Sequence, residues 1–235
     1  MTSHTILDAV LRWCSLPYMF LLTARDRGQP DLHNLLLLLA GFECADPRQR
    51  AHEEWRQFEH WLGKRHPGFF RKGVTWFGEG LLLDSGGAHV NAAERLRAAV
   101  EEYRALPVAE REVSQEKPGA EVRPRTILEA VVHWCSTPYE SLATVSDRGQ
   151  PDLHNLKLLL EGFMTGALTP QAGEQWHQFE RWFGRRRPEL FREGLTWYGE
   201  GLLRECGGDH ARAAEELKTS VEEYQRSHSD SSGQP

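Results

Sequence analysis

Apolar residues along the chain recur at intervals of three and four positions, the spacing that places side chains on one face of an α-helix. Clear examples are the segment around Trp13, the run LLLLLAGF at 35–42 and the motif W-x-x-F-x-x-W that begins at Trp55. No segment shows the sustained apolar–polar alternation of a half-buried strand. The pattern therefore predicts an all-α protein, with tryptophans at helical spacing in its core.

The chain also repeats itself. A shift of 121 positions aligns residues 5–106 with residues 126–227 without a gap, and 58 of the 102 aligned pairs are identical. Identity at this level predicts one fold formed twice, after a tandem duplication. We call the two segments repeat 1 and repeat 2. We expect about six helices in each, with domain boundaries at 1–106 and 126–227.

The segment between the repeats has a different composition. Residues 107–125 contain three prolines and many charged side chains, and residues 228–235 are polar. Such segments bury too little apolar surface to offset the entropy lost on ordering. The sequence therefore predicts a flexible charged linker at 107–125 and a disordered tail at 228–235.

Prolines, glycines and capping residues mark the predicted helix ends. Thr5 with Asp8, and Thr126 with Glu129, form capping-box patterns at the first helix of each repeat. In repeat 1 the second helix is predicted from Pro17 to Gly28 and the third from Pro30 to Gly41, with Gly162 as the equivalent end in repeat 2. A fourth is predicted around Trp55 and a fifth from Pro67 to the residue before Gly86. The sixth covers AAERLRAAVEEY.

The stretch DRGQPDLHNL occurs unchanged at 26–35 and at 147–156. Most of it suits a turn between two helices, with a glycine at the end of the first and a proline in the first turn of the second. Leu32 and Leu35 are predicted to enter the core. His33 and Asn34, with His154 and Asn155, either hydrogen-bond a neighbouring helix end or form a polar site.

Composition narrows the classes of protein. The net charge is −6, the pI is near 6.0 and the mean hydropathy is −0.56. The longest apolar run is far shorter than the ~20 residues of a membrane span, and no secretory signal is recognisable. We expect an intracellular protein, cytoplasmic or nuclear, that is neither secreted nor membrane-spanning.

Residues with catalytic or metal-binding chemistry form no familiar motif. The four cysteines contain no C-x-x-C pair and no zinc-ligand spacing, which predicts free thiols and no metal. Glu79 and Glu200 lie in two similar stretches, TWFGEG and TWYGEG, without an acidic or basic mate beside them. The sequence therefore predicts a protein that is not an enzyme and has no cofactor.

Each repeat carries a short basic cluster, GKRHPGFFRK at 63–72 and GRRRPELFRE at 184–193. Cations at the end of a helix interact favourably with its dipole and last carbonyls. An alternative role is contact with phosphate, which would make the protein a nucleic-acid-associated regulator. The candidate residues for that role are Lys64, Arg65, Arg71, Arg185, Arg186, Arg187 and Arg192.

The differences between the repeats point to a binding surface. Five apolar residues of repeat 1 are replaced by polar or charged residues in repeat 2, which a shared core could not accept. These positions are therefore expected at or near the surface, where repeat 1 would expose an apolar patch. The residues are Leu16, Met19, Phe20, Leu36 and Leu83, which become Thr137, Glu140, Ser141, Lys157 and Arg204.

Three occupants could cover such a patch: repeat 2 of the same chain, a second copy of the chain, or another protein. The one-sided patch and the missing catalytic motifs together indicate a non-enzymatic tandem-domain adaptor or regulatory protein that binds protein partners. Two linked domains would allow bivalent engagement, because a tether raises the effective concentration of the second domain.

Overall fold

The structure is a computed structural model, and it describes residues 5–15, 32–46, 50–70, 77–111, 126–136, 153–167, 170–191 and 198–229. All regular elements in these ranges are helical, so the predicted all-α class is confirmed for them. Among these helices, none is both long enough and apolar enough to cross a bilayer.

The elements of repeat 1 follow the predicted order. They are α1 (Ile6–Ser15), α2 (Leu32–Cys44), α3 (Arg50–Arg65), a 310 helix (Pro67–Phe70), α4 (Phe77–Asp84) and α5 (His89–Ala105). A short helix, α6 (Val108–Arg111), lies within the predicted linker. The predicted second helix of each repeat lies outside the described residues. The predicted fifth helix corresponds to the 310 helix and α4.

Repeat 2 contains the equivalent elements, and each begins within one residue of the position 121 further along the chain. They are α7 (Ile127–Ser136), α8 (Leu153–Gly166), α9 (Pro170–Arg186), a 310 helix (Pro188–Phe191), α10 (Tyr198–Glu205) and α11 (His210–Ser229). Helix α11 includes the first two residues of the predicted tail.

The predicted capping box is present at the start of α1. The Thr5 N–H donates to the Asp8 carboxylate at 2.9 Å, and the Asp8 N–H donates to Thr5 Oγ1 at 3.2 Å. Arg104 of α5 also donates to Asp8, at 2.7 Å, so the same carboxylate joins α1 to α5. In repeat 2 the Glu129 N–H donates to Thr126 Oγ1 at 3.1 Å.

A histidine of each repeat caps a helix that is distant in sequence. The Leu32 N–H at the start of α2 donates to His89 Nδ1 at 3.2 Å, and the Leu153 N–H donates to His210 Nδ1 at 3.1 Å. The amide would otherwise lack a partner, because the first N–H groups of a helix have none within it. Leu32 and Leu35 are fully buried, as predicted from the repeated decapeptide.

Glycines end α4 and α10. After α4, the Gly87 N–H donates to the Leu82 carbonyl at 2.9 Å and the Gly86 N–H donates to the Leu83 carbonyl at 3.1 Å, the two bonds of a Schellman motif. Gly86 has φ +66° and Gly207 has φ +68°, a backbone conformation in which a Cβ is disfavoured. The predicted stop before this glycine pair is confirmed.

Aromatic side chains form much of each core. Phe58 of α3 is fully buried, and its ring lies 5.3 to 6.3 Å between centroids from those of Trp55, Trp61, Phe77 and Tyr103. The predicted core position is confirmed for four tryptophans: Trp13, Trp55, Trp134 and Trp176. Trp61 and Trp182 are half-buried, and Trp76 and Trp197 lie outside the described residues.

Helices α2 and α8 cross at glycines and bring the two repeats into contact. A Cβ built on Gly41 would lie 1.9 Å from the carbonyl oxygen of Leu159, and one built on Gly162 would lie 2.0 Å from that of Leu38. The contact is reciprocal, because position 159 is the repeat equivalent of 38 and position 162 that of 41. It therefore has the form of an isologous dimer contact within one chain.

The prediction that Gly41 and Gly162 end their helices is wrong. Helix α2 continues to Cys44 and α8 to Gly166, so both glycines lie inside a helix. They are needed there because the backbones of α2 and α8 approach too closely for a side chain. Leu158 of α8 packs into the core of repeat 1, which places the leucine run between the two cores.

Candidate binding surface

Two of the five predicted patch residues lie in the described part of the chain. Leu83, in the last turn of α4, has 63% of its surface exposed, and Leu36 of α2 is half-buried. Their equivalents in repeat 2 are the half-buried Lys157 and the exposed Arg204. Leu16, Met19 and Phe20 lie outside the described residues.

The contact between the repeats does not cover Leu83. Repeat 2 meets α2 through the face that contains Leu38 and Gly41, and Leu83 stays exposed with α8 in place. Leu83 therefore stays exposed to solvent, while the leucine run of α2 packs within the chain.

Lys157 shows how repeat 2 fills the place that Leu36 occupies in repeat 1. Partial burial lowers the pKa of Lys157, and the attraction of Glu161, Glu200 and Glu180 opposes that shift. The charge of the lysine is thus influenced by carboxylates of α8, α9 and α10. Repeat 1 has Ala40 where repeat 2 has Glu161, but it retains the other two acids as Glu59 and Glu79. Repeat 1 thus keeps two of the three acids and has a leucine in place of the lysine, and the charge of Arg56 on α3 acts on Glu59.

An open groove of about 400 Å³ runs along α3 to the adjacent 310 helix. It is lined by Arg56, Glu59, His60, Gly63, Lys64 and Phe70. The ring of Phe70 lies against Gly63, within 3.4 Å of where a Cβ would stand, and yet it is 44% exposed. The groove thus combines an exposed aromatic ring with charged side chains of both signs.

Glu59 is the most perturbed group of this groove. Burial and the nearby Glu43 carboxylate raise the pKa of Glu59 to about 7, against a hydrogen bond from the Trp55 side chain and the charge of Arg56, which lower it. Glu43 itself lies 3.2 Å from His52 Nδ1. Glu59 is therefore a half-buried carboxyl held in place by Trp55, and it changes charge close to neutral pH.

Three residues of the basic clusters form ion pairs within the chain. Arg65 forms an ion pair with Glu102 at 3.2 Å, and Arg186 pairs with Glu223. Arg187 contacts three carboxylates, Glu189 at 2.6 Å, Glu205, and Glu216 at 3.9 Å. Lys64 and Arg185 are exposed at the ends of α3 and α9. Arg71 and Arg192 lie outside the described residues.

The described residues also bear on metal binding and on the reactivity of the thiols. Within the described ranges, no three His, Cys, Asp or Glu side chains converge in a way that could hold a metal ion. The four cysteines are free, and burial raises the pKa of the Cys14 and Cys135 thiols to about 12. These two thiols are therefore protonated near neutral pH and poor nucleophiles. The side chains of His33, Asn34, His154 and Asn155 lie outside the described residues.

The sequence predicted a partner-binding role for Leu36 and Leu83, and that role stays a prediction; Glu59, which lies in a groove and has a raised pKa, was not among the predicted residues. A signal for it was present: Leu36 and Ala40 both become charged in repeat 2, as Lys157 and Glu161, one helical turn apart. A lysine and a glutamate that replace two uncharged residues one helical turn apart indicate a charged pair. An acid of a neighbouring helix close to that pair is then a candidate to interact with it.

No protein-family model matches the chain, and no match was found among curated proteins or solved structures.

Proposed function

We propose that the protein is a non-enzymatic adaptor or regulatory protein, built from two tandem helical domains, that binds a protein partner through the apolar surface of repeat 1. One observation carries the proposal: Leu83 is 63% exposed at a position where repeat 2 has arginine. Burying a leucine against a partner contributes about 2 kcal/mol to binding, enough to make it an anchor.

The contact between α2 and α8 supports a particular form of adaptor. The glycine crossing holds the repeats together at the level of their backbones. A partner of repeat 1 would therefore be presented at a defined position relative to repeat 2. This arrangement differs from two domains that move independently on a flexible linker.

The alternative, a nucleic-acid-associated regulator, has weaker support because Arg65, Arg186 and Arg187 already pair with carboxylates. Contact with a phosphate would compete with these internal ion pairs for the same guanidinium groups. That function would show a steep dependence of binding on salt concentration. The adaptor proposal requires no such dependence.

Replacing Leu83 by arginine, the residue of repeat 2, is expected to abolish partner binding without unfolding the protein. Exposed substitutions of this kind change the free energy of unfolding by about 0.5 kcal/mol or less. The measurement is affinity capture with the full chain, in which the partners retained by wild type and variant are compared by quantitative mass spectrometry.

Val108→Arg is the matched control, because Val108 is also an exposed apolar residue, 67% accessible, but lies in α6. We expect it to retain every partner of the wild type. Capture of the same partners, in the same amounts, by Leu83→Arg and wild type would contradict the proposed surface.

A further inference from the structure

The six positions that line the groove on α3 keep their chemistry in repeat 2. The aromatic position holds Phe70 in repeat 1 and Phe191 in repeat 2, which are 44% and 45% exposed. Three positions change residue type but stay basic: Arg56, His60 and Lys64 become His177, Arg181 and Arg185. The other two are a glutamate and a glycine in both repeats. We call these positions the α3 site in repeat 1 and the α9 site in repeat 2.

The exposed ring packs against the helix in both sites. A Cβ built on Gly63 would lie 3.4 Å from the nearest ring atom of Phe70, and one built on Gly184 would lie 3.3 Å from that of Phe191. A glycine inside a helix lowers its stability relative to alanine, and here it lets the ring lie against the helix backbone. Phe70 also contacts Phe77, with 6.1 Å between the ring centroids. A ring that is fixed and yet exposed offers apolar surface and loses little entropy when a partner covers it.

The acid of each site interacts with the base three residues before it. The charge of Arg56 acts on Glu59, and His177 Nδ1 lies 3.0 Å from Glu180. Neither acid therefore requires a cation from outside, and the first base of each site is occupied by this interaction.

The last base of each site is the one left for a partner. Lys64 and Arg185 are both exposed, and neither forms an ion pair with any residue of the described ranges. Arg181 pairs with Glu174 at 2.7 Å, but both side chains are more than half exposed, and such pairs contribute little. Each site thus combines an unpaired cation with an exposed aromatic ring.

We propose that each repeat binds an acidic protein segment at this site. The unpaired cation pairs with an Asp or Glu side chain of the segment, and the exposed ring contacts an apolar residue next to it. The residues that do so are Lys64 and Phe70 in repeat 1, and Arg185 and Phe191 in repeat 2. The surface does not include Leu83 and occurs twice in the chain, so this inference goes beyond the proposed function.

The number of unpaired cations favours a protein segment over a nucleic acid. A carboxylate next to an apolar side chain requires one cation and one apolar surface, which each site supplies. A nucleic acid carries a phosphate at every nucleotide and binds to several cations along its length. The carboxylates of Glu59 and Glu180 would also lie close to such a strand and repel it.

Selection from a random dodecapeptide library displayed on phage provides the probe. The full chain is the target, and phage that bind the double variant Lys64→Glu, Arg185→Glu are removed in each round. We expect the remaining peptides to be enriched in Asp or Glu beside an apolar residue. Recovery of no peptide, or of peptides without an acid, would overturn the inference.

The leading peptide is then synthesised, and titration calorimetry measures how many copies the full chain binds. We expect two copies in the wild type, one in Lys64→Glu or Arg185→Glu alone, and none in the double variant at concentrations that saturate the wild type. Phe70→Ser should weaken the α3 site about tenfold, because the peptide loses its apolar contact there. One copy in the wild type, or two in either charge-reversal variant, would overturn the inference.

Arg12→Glu is the matched control for the charge reversals. Arg12 is also exposed and forms no ion pair within the described part of the chain, but it lies on α1 and does not line the groove. We expect two bound copies and an affinity within about twofold of wild type. A loss equal to that of Lys64→Glu would mean that the peptide responds only to the overall charge of the chain, which would overturn the inference.

Three further results identify other occupants or separate this inference from the proposed function. If Leu83→Arg abolishes partner capture while no acidic peptide is recovered, the inference fails and the proposed function stands. If a fluorescent twelve-nucleotide oligothymidylate displaces the peptide and the double variant weakens its binding, the occupant is a nucleic acid and the inference is overturned. Dimers of the full chain that the double variant dissociates, measured by light scattering, would identify a second copy and also overturn it.

Discussion

Replacing Gly162 by alanine is expected to lower the free energy of unfolding by about 3 kcal/mol, at the upper end of the range for inserting a methyl group into a packed interior. The added Cβ would lie 2.0 Å from the carbonyl oxygen of Leu38, an atom of the α2 backbone that no rotamer change can move. Helices α2 and α8 must therefore separate, and the leucines between the two cores lose part of their packing. Chemical denaturation of the full chain measures the effect.

Gly173→Ala is the matched control for this prediction. Gly173 also lies inside a helix, α9, but a Cβ built there would meet nothing within 4 Å. Alanine is a better helix former than glycine, so this variant should be more stable than wild type, by about 0.5 to 1 kcal/mol. A stabilising effect of Gly162→Ala would contradict the close approach of the α2 and α8 backbones.

Replacing Phe58 by alanine is expected to cost about 4 kcal/mol, within the range for large-to-small changes of buried aromatic residues. The Phe58 ring is completely buried and lies close to the rings of four other aromatic residues of repeat 1, as described above. Removing it leaves a cavity that α3, α4 and α5 surround, and the four neighbouring rings lose their contacts with Phe58. Urea denaturation gives the magnitude, and near-ultraviolet circular dichroism reports the loss of aromatic order.

Two comparisons make the Phe58 prediction specific. Phe179, its equivalent in repeat 2, is equally buried against Trp176, Phe183 and Tyr224, so Phe179→Ala should cost a similar amount. Phe70→Ala should cost less than about 1.5 kcal/mol because that ring is 44% exposed. A small effect of Phe58→Ala, no larger than that of Phe70→Ala, would show that the aromatic cluster is not packed as described.

Local signals in the sequence predicted much of this fold. The capping box at Thr5, the glycine pair after α4 and the burial of Leu32 and Leu35 each depend on nearby residues, so the pattern alone contained them. The histidine caps were not predicted. His89 and Leu32 are 57 residues apart, and nothing local to either residue indicates the other.

The crossing of α2 and α8, which joins the two repeats, was the main feature that the sequence did not predict. Gly41 was interpreted as the end of a helix, because a glycine at a helix end and a glycine at a helix crossing have the same sequence context. Only the position of α8 distinguishes the two roles. A similar limit applies to Glu59, whose pKa is raised by burial in the folded chain and by Glu43 of another helix.

Helices α2 and α8 cross at two equivalent glycines, and a double-mutant cycle tests this crossing most directly. The two added methyl groups press the same two helices apart, so the separation forced by Gly41→Ala already makes room for Gly162→Ala. The double variant should therefore be less destabilised than the sum of the single variants, by about 1 to 2 kcal/mol. Additivity within about 0.5 kcal/mol, the behaviour of distant and independent sites, would contradict the crossing.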